Sequence, residues 1–227
     1  MTLAVLYDIH GNLAALEAVV AEARAEGVNR YLLGGDYATF GPWPRETVAL
    51  LEDLPVEAWV RGNVDRWLVE PPEAPAEMRP LVEAAVAAAR TELTEDQISR
   101  LYALPDRAEV DGVLYCHASP RSDLETFAPQ PEEDEERLLA DARQRTVVFG
   151  HSHIQFARPG PRETELVNPG SVGQPLDGDR RAAWAVAEGD QLIFRRTAYD
   201  VERAVVQMRR QGAWAEAIAQ RLELAHA

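Results

Sequence analysis

Five short apolar runs in this chain each end at Asp, His or Asn, and that repetition constrains the fold more than any other feature. Leu3–Tyr7 runs into Asp8-Ile9-His10, Tyr31–Leu33 into Gly34-Gly35-Asp36, and Val56–Val60 into Arg61-Gly62-Asn63. Val113–Cys116 stops at His117, and Thr146–Phe149 at Gly150-His151-Ser152-His153. Short apolar runs bounded by Gly and Asn read as buried strands. The first three alternate with helical patterns. Asn12 stands as an N-cap before Leu13, Leu16, Val20 and Ala23, which share one helix face, and Gly27 closes that helix. Pro44 sits at the N1 position of a second helix over Glu46–Leu54. This alternation implies βαβ units and a largely parallel sheet.

In open α/β sheets the carboxyl ends of the strands line the ligand crevice. Asp8, His10, Asp36, Asn63, His117, His151 and His153 are therefore expected along one edge. His151 and His153 face the same way if their segment is extended. Mixed imidazole and carboxylate donors suit manganese, iron, zinc or cobalt rather than calcium. Seven such residues exceed one tetrahedral site, whereas two metals sharing a carboxylate would use them all. Each piece alone has an ordinary structural reading as a cap, turn or core residue. Their recurrence at five strand ends is what points to a site.

Composition narrows the partners. The 227 residues carry a net charge of −15, and all 23 basic residues are Arg. Such a surface repels polyanions, which excludes non-specific nucleic-acid binding. Arginines or metals in a cleft can still hold a small anion. Cys116 is the single cysteine, so no internal disulfide forms. No run has the length or flanks of a signal segment or membrane span, and a reducing, cytoplasmic setting is expected. The remaining chain reads as one domain, residues 1–227. It has a helical insertion at about 73–105, made of Leu81–Leu93 and Glu95–Ala103, with a capping box at Thr94–Gln97. A helix over Glu132–Arg143 starts in a solvated acidic run. The last third is β-rich, with strands over Ile154–Ala157, Thr164–Val167, Ala182–Ala187 and Gln191–Arg196 and a hairpin turn at Glu188-Gly189-Asp190. An amphipathic helix over Val201–Leu224 closes it.

The motifs DIHGN, GGDYATFGP, GNVD, CHASP and GHSH, in this order over residues 8–153, resemble those of the calcineurin-like metallophosphoesterases, in particular their small bacterial and archaeal phosphodiesterase-type members. The later NPGSVGQP, residues 168–175, is similar as well. The resemblance implies a four-layer α/β/β/α sandwich with two mixed sheets and a site at the strand ends. It implies one metal held by Asp8, His10, Asp36 and His153. A second would be held by Asp36, Asn63, His117 and His151, with Asp36 the bridge. The metals would be divalent, manganese first, with iron, zinc, cobalt or nickel as alternatives. Two dications roughly 3.5–4 Å apart can clamp a phosphate and lower the pKa of a bridging water. The implied reaction is hydrolysis of a small phosphodiester, phosphoanhydride or phosphomonoester by metal-bound hydroxide.

The sequence departs from the pattern at one place. Many relatives carry His where Val64 stands, and the resemblance implies that this His protonates the leaving group or steadies the transferring phosphoryl. Val cannot transfer a proton, and such help is typically worth about 10²–10⁴-fold. Asp65 keeps the neighbouring acidic position. Asn12 either reaches a phosphate oxygen or caps its helix. Arg121, just past His117, either contacts substrate anions or is an ordinary surface residue. A metal-binding scaffold or regulatory protein on the same fold, with little or no catalysis, is the alternative function. Substrate identity and oligomeric state are not legible.

Overall fold

Ten strands form in the computed structural model, which describes residues 2–189 and 191–226. The chain begins with β1 (Thr2–Leu6), α1 (Leu13–Ala25), β2 (Tyr31–Leu33), α2 (Pro44–Glu52), β3 (Val56–Trp59) and a four-residue α3 (Asn63–Arg66). Helices α4 (Arg79–Glu92) and α5 (Glu95–Tyr102) follow. Next come β4 (Arg107–Val110), β5 (Val113–Cys116), a single turn α6 (Glu135–Leu138) and β6 (Thr146–Val148). The last third holds β7 (Gln155–Pro159), β8 (Glu165–Pro169), β9 (Ala182–Glu188) and β10 (Gln191–Thr197), then α7 (Val201–Arg209) and α8 (Glu216–Leu224). Among the described residues no helix is long and apolar enough to cross a membrane.

Two mixed five-stranded sheets result, in the orders β10-β9-β1-β2-β3 and β4-β5-β6-β8-β7. Alternation along β1 explains how they stack. Leu3, Val5 and Tyr7 point one way and pack with Tyr115, Val148 and Val167 of the second sheet. Ala4 and Leu6 point the other way, under Leu16, Val20 and Ala23 of α1 and Leu51 of α2. The outer face of the second sheet, Leu114, Cys116, Val147 and Leu166, is covered by Phe127, Leu138 and Leu139. This is the expected four-layer sandwich, with its last helical layer reduced to α6 and irregular chain.

Two features bear on the site. Strands β1, β2 and β3 run parallel, as do β5, β6 and β8, so each set presents its carboxyl ends together. The 73–105 segment is bound into the body of the fold. Ala89, Leu93 and Leu101 join the cluster beneath α1, while Val82 and Val86 pack on Val64 and Trp67.

Several expected elements are corrected. The helix over Glu132–Arg143 shrinks to one turn, because Asp134 before it (φ 64°) and Ala140 after it (φ 46°) take left-handed backbones that do not continue a helix. Its acidic run is not wholly solvated: Glu135 is buried in an ion pair with Arg158. The helix over Val201–Leu224 is two helices. Gly212 (φ 116°) breaks it and α8 folds back on α7, closing Ala204, Met208, Ile218 and Leu222 into one cluster. Strand β4 was not expected, since its burial alternates weakly. The hairpin at Glu188-Gly189-Asp190 is present as far as Gly189 (φ 58°), and Asp190 lies outside the described residues.

Candidate metal centre

The seven residues at the strand ends converge. Asp8, His10 and His153 form one group of donors and Asp36, His117 and His151 a second, with the ligand atoms of each group within 4.8 Å of one another. Five of these six, Asp8, His10, Asp36, His151 and His153, have positive φ between 50° and 66°. Such a backbone costs of order 1–3 kcal/mol per residue and clusters at functional sites. Here it falls in the turns just past β1, β2 and β6.

The imidazoles are oriented by main-chain carbonyls. His10 Nδ1–H donates to Thr39 O at 2.9 Å and His153 Nδ1–H to Gln174 O at 2.7 Å. Each ring is thereby left with its lone pair on Nε2, and the two Nε2 atoms face each other at 3.0 Å. Burial pushes both imidazoles down from their ordinary values, so neither readily carries the proton that would join them. Asp8 Oδ1, fully buried, has no hydrogen-bond partner among the described residues and lies 3.7 Å from His153 Nε2. Two lone pairs and an unpaired carboxylate oxygen at one point suit a cation.

The second group is arranged differently. His117 Nδ1 faces Gly34 O and its Nε2 faces Asn63 Oδ1, both at 3.0 Å, so both ring nitrogens meet acceptors. Burial opposes a charge there, but the Asp36 and Asp8 carboxylates outweigh it and raise His117 to about 10. His151 Nδ1 also lies 3.0 Å from Asn63 Oδ1, and burial together with the His117 charge lowers it to about 4. Asp36 Oδ2 stands 3.4 Å from His117 Nε2 and 3.8 Å from His10 Nε2, between the two groups. Burial would raise Asp36, yet the surrounding histidines hold it below the usual carboxylate range. The donor set fits two divalent cations that share Asp36.

The other candidate residues fall in different places. Asp65 is buried and accepts from three backbone N–H groups, Asp36 at 2.8 Å, Gly62 at 2.9 Å and Tyr37 at 3.1 Å. It clips the loop after β2 to α3. Burial and the Asp36 carboxylate raise it to about 7. Asn12 serves as the N-cap of α1, accepting from Ala15 N at 3.2 Å, while its amide donates to Gly173 O and Tyr199 Oη. It does not line the cleft. Arg121 is exposed and does not line it either.

The metal-ligand candidates open onto a cleft of about 530 Å³. Its floor includes His10, Asp36, Asn63, His151 and His153, and its walls include Val64, Trp67, Met78, Leu124 and Arg221. Arg66 braces the mouth, pairing with Asp123, Glu70 and Glu73. Sequence reasoning missed Arg221, whereas the 168–175 segment that it singled out supplies supports at the end of β8 and in the loop after it. Ser171 Oγ donates to Asp8 O at 2.7 Å and accepts from Gln174 N at 2.8 Å. Asn168 Nδ2 donates to Gly150 O and Ser152 Oγ. The segment ends and follows a strand parallel to β6, as the ligand loops follow theirs.

A profile described as the calcineurin-like phosphoesterase superfamily domain matches residues 1–191. An uncharacterised protein of Methanocaldococcus jannaschii is 26% identical over 223 residues, 89% of each chain. Among solved structures, a metallophosphoesterase from Sphaerobacter thermophilus is 27% identical with a TM-score of 0.82, covering 99% of both chains. A hypothetical protein from Pyrococcus horikoshii, 20% identical, has a TM-score of 0.79, covering 96% of this chain and 97% of its own.

Proposed function

The chain belongs to the calcineurin-like phosphoesterase superfamily, and on that premise we propose that it is a binuclear, metal-dependent hydrolase of phosphodiesters or phosphoanhydrides. The observation that carries the reading is Asp36, whose Oδ2 lies between two clusters of metal-type donors. In the proposal Asp8, His10, Asp36 and His153 hold one cation. Asp36, Asn63, His117 and His151 hold the other. Mixed nitrogen and oxygen donors suit manganese, iron, zinc, cobalt or nickel, and the family resemblance puts manganese first. Two dications bound there supply charge that neutralises a phosphoryl group and makes water acidic enough to attack it.

The chain's own groups then position and shield. The carbonyls of Thr39 and Gln174 fix the His10 and His153 rings. Asp65 holds the Asp36 loop. Asn63 adds a ligand oxygen without further negative charge. Val64 lines the cleft where a proton donor to the leaving group would be useful. Its side chain supplies no proton, which favours substrates whose leaving group departs as a weak base.

The test is a metal-by-substrate screen of metal-loaded protein against an Asp36→Ala control. The panel holds bis-p-nitrophenyl phosphate, p-nitrophenyl phosphate, cyclic nucleotides and dinucleoside polyphosphates. Turnover above the control is expected, larger for the diester than the monoester. No turnover above the control on any of them sinks the reading.

A further inference from the structure

Arg221 is the unusual cation of this molecule. The half-buried guanidiniums of Arg30, Arg61, Arg66, Arg158, Arg195 and Arg196 are each ion-paired. Arg221, also half-buried, has neither an ion pair nor a side-chain hydrogen bond among the described residues. The chain carries 38 acidic residues against 23 arginines, so acids for a partner abound. Instead Arg221 lines the cleft above His10, Asp36 and His153. Glu73, another charged residue of that lining, is taken by Arg66. Gln174, beside them, spends its amide on Phe40 O at 2.7 Å.

An unpaired cation facing a floor built for two dications is unfavourable in itself, because like charges in a partly desolvated cleft repel. An anion lying between them reverses the sign. The rest of the cleft is apolar: Phe40, Val64, Trp67, Met78, Val82 and Leu124 line it and pack as one cluster. A cleft of this make-up recognises an anionic head on an apolar body. Arg221 comes from α8, beyond residues 1–191 that the family profile matches.

We propose that Arg221 anchors the substrate, its guanidinium gripping a phosphate oxygen of an organic phosphoester whose apolar or aromatic portion lies on Phe40, Val64, Trp67, Met78, Val82 and Leu124. This rests on the phosphoesterase reading and names its substrate class.

Phenylphosphonate and methylphosphonate test it, since their C–P bond is not a substrate for ester hydrolysis. Equilibrium binding to manganese-loaded protein is measured by calorimetry for wild type, Arg221→Gln, Arg221→Lys and the exposed-residue control Arg90→Gln, each checked for an unchanged circular dichroism spectrum. Wild type is expected to bind phenylphosphonate more tightly than methylphosphonate. Arg221→Gln is expected to weaken phenylphosphonate about ten- to hundredfold, the size of a lost charge-assisted hydrogen bond. Arg221→Lys should recover part of the loss and Arg90→Gln should show none. Unchanged affinity in Arg221→Gln, or equal affinity of wild type for the two phosphonates, overturns the proposal. So does wild type that binds neither. Hydrolysis of bis-p-nitrophenyl phosphate by the same preparation then separates that result from failure of the phosphoesterase reading.

Discussion

The backbone N–H of Val64 donates to Asp36 Oδ1 at 3.1 Å. One oxygen of the shared carboxylate is thereby fixed by the main chain of α3, and the other is left to face His117 and His10. Residue 64 thus has two separable roles: its amide positions Asp36, and its side chain lines the cleft.

Val64→His keeps the amide and adds a proton donor. It is expected to raise hydrolysis of p-nitrophenyl phosphate relative to bis-p-nitrophenyl phosphate, with metal content unchanged. The ratio of kcat/KM values for the two substrates is the readout, and an unchanged ratio counts against a leaving-group role at this position.

Gly62 lies against the same carboxylate oxygen. A Cβ there would stand 2.0 Å from Asp36 Oδ1 and 2.5 Å from Asp36 N. Neither atom has freedom to retreat, because Asp65 holds that amide and Val64 that oxygen. Gly62→Ala should therefore purify with reduced metal, measured by inductively coupled plasma mass spectrometry. Full metal content in a folded variant would show that the loop gives way more easily than the contacts indicate.

Asp65 acts as a positioning residue. Its three backbone donors need carboxylate acceptors, and an Asn amide turns a donor of its own towards them. A buried donor left unpaired costs about 1–3 kcal/mol. Asp65→Asn should lose stability of this order in urea melts, both with and without EDTA. A loss seen only in the presence of metal would point instead to direct participation in the metal site.

Metal loading should release protons and stabilise the fold. His117 is raised to about 10 in the metal-free protein, whereas an unfolded His titrates near about 6.5. Its contribution to the metal-free fold is complete below about pH 6.5 and is lost as the pH rises towards 10. A ligating imidazole is neutral, so loading near pH 8 must expel that proton. Calorimetry in buffers of different ionisation enthalpy should show about one proton or more released per protein. At a metal concentration a hundred times its Kd, stability should rise by about 2.7 kcal/mol. Uptake without proton release would contradict the ion pair between His117 and Asp36.

The residues legible in the sequence were those whose signal is local. Asp8, His10, Asp36, Asn63, His117, His151 and His153 stand just past the ends of five strands, and each strand and its turn are neighbours in the chain. The Thr94–Gln97 capping box, with bonds at 3.1 Å in both directions, was legible for the same reason. The truncation of α6 was not. Its acids read as a solvated helix start, while Glu135 turns inward to Arg158, 23 residues further on.

The sequence by itself determined the donor set and the alternation that brings it to one edge, because strand periodicity and strand-end chemistry are written in consecutive residues. Tertiary structure alone decided which side chains support and face that set. Ser171 reaches Asp8 across 163 residues because the two sheets pack face to face, with Tyr7 against Val167. The break at Gly212 turns α8 back on α7, and Arg221 rather than Arg121 reaches the cleft. Such contacts join segments far apart in the chain, and only the packing of sheets and helices fixes which of them meet.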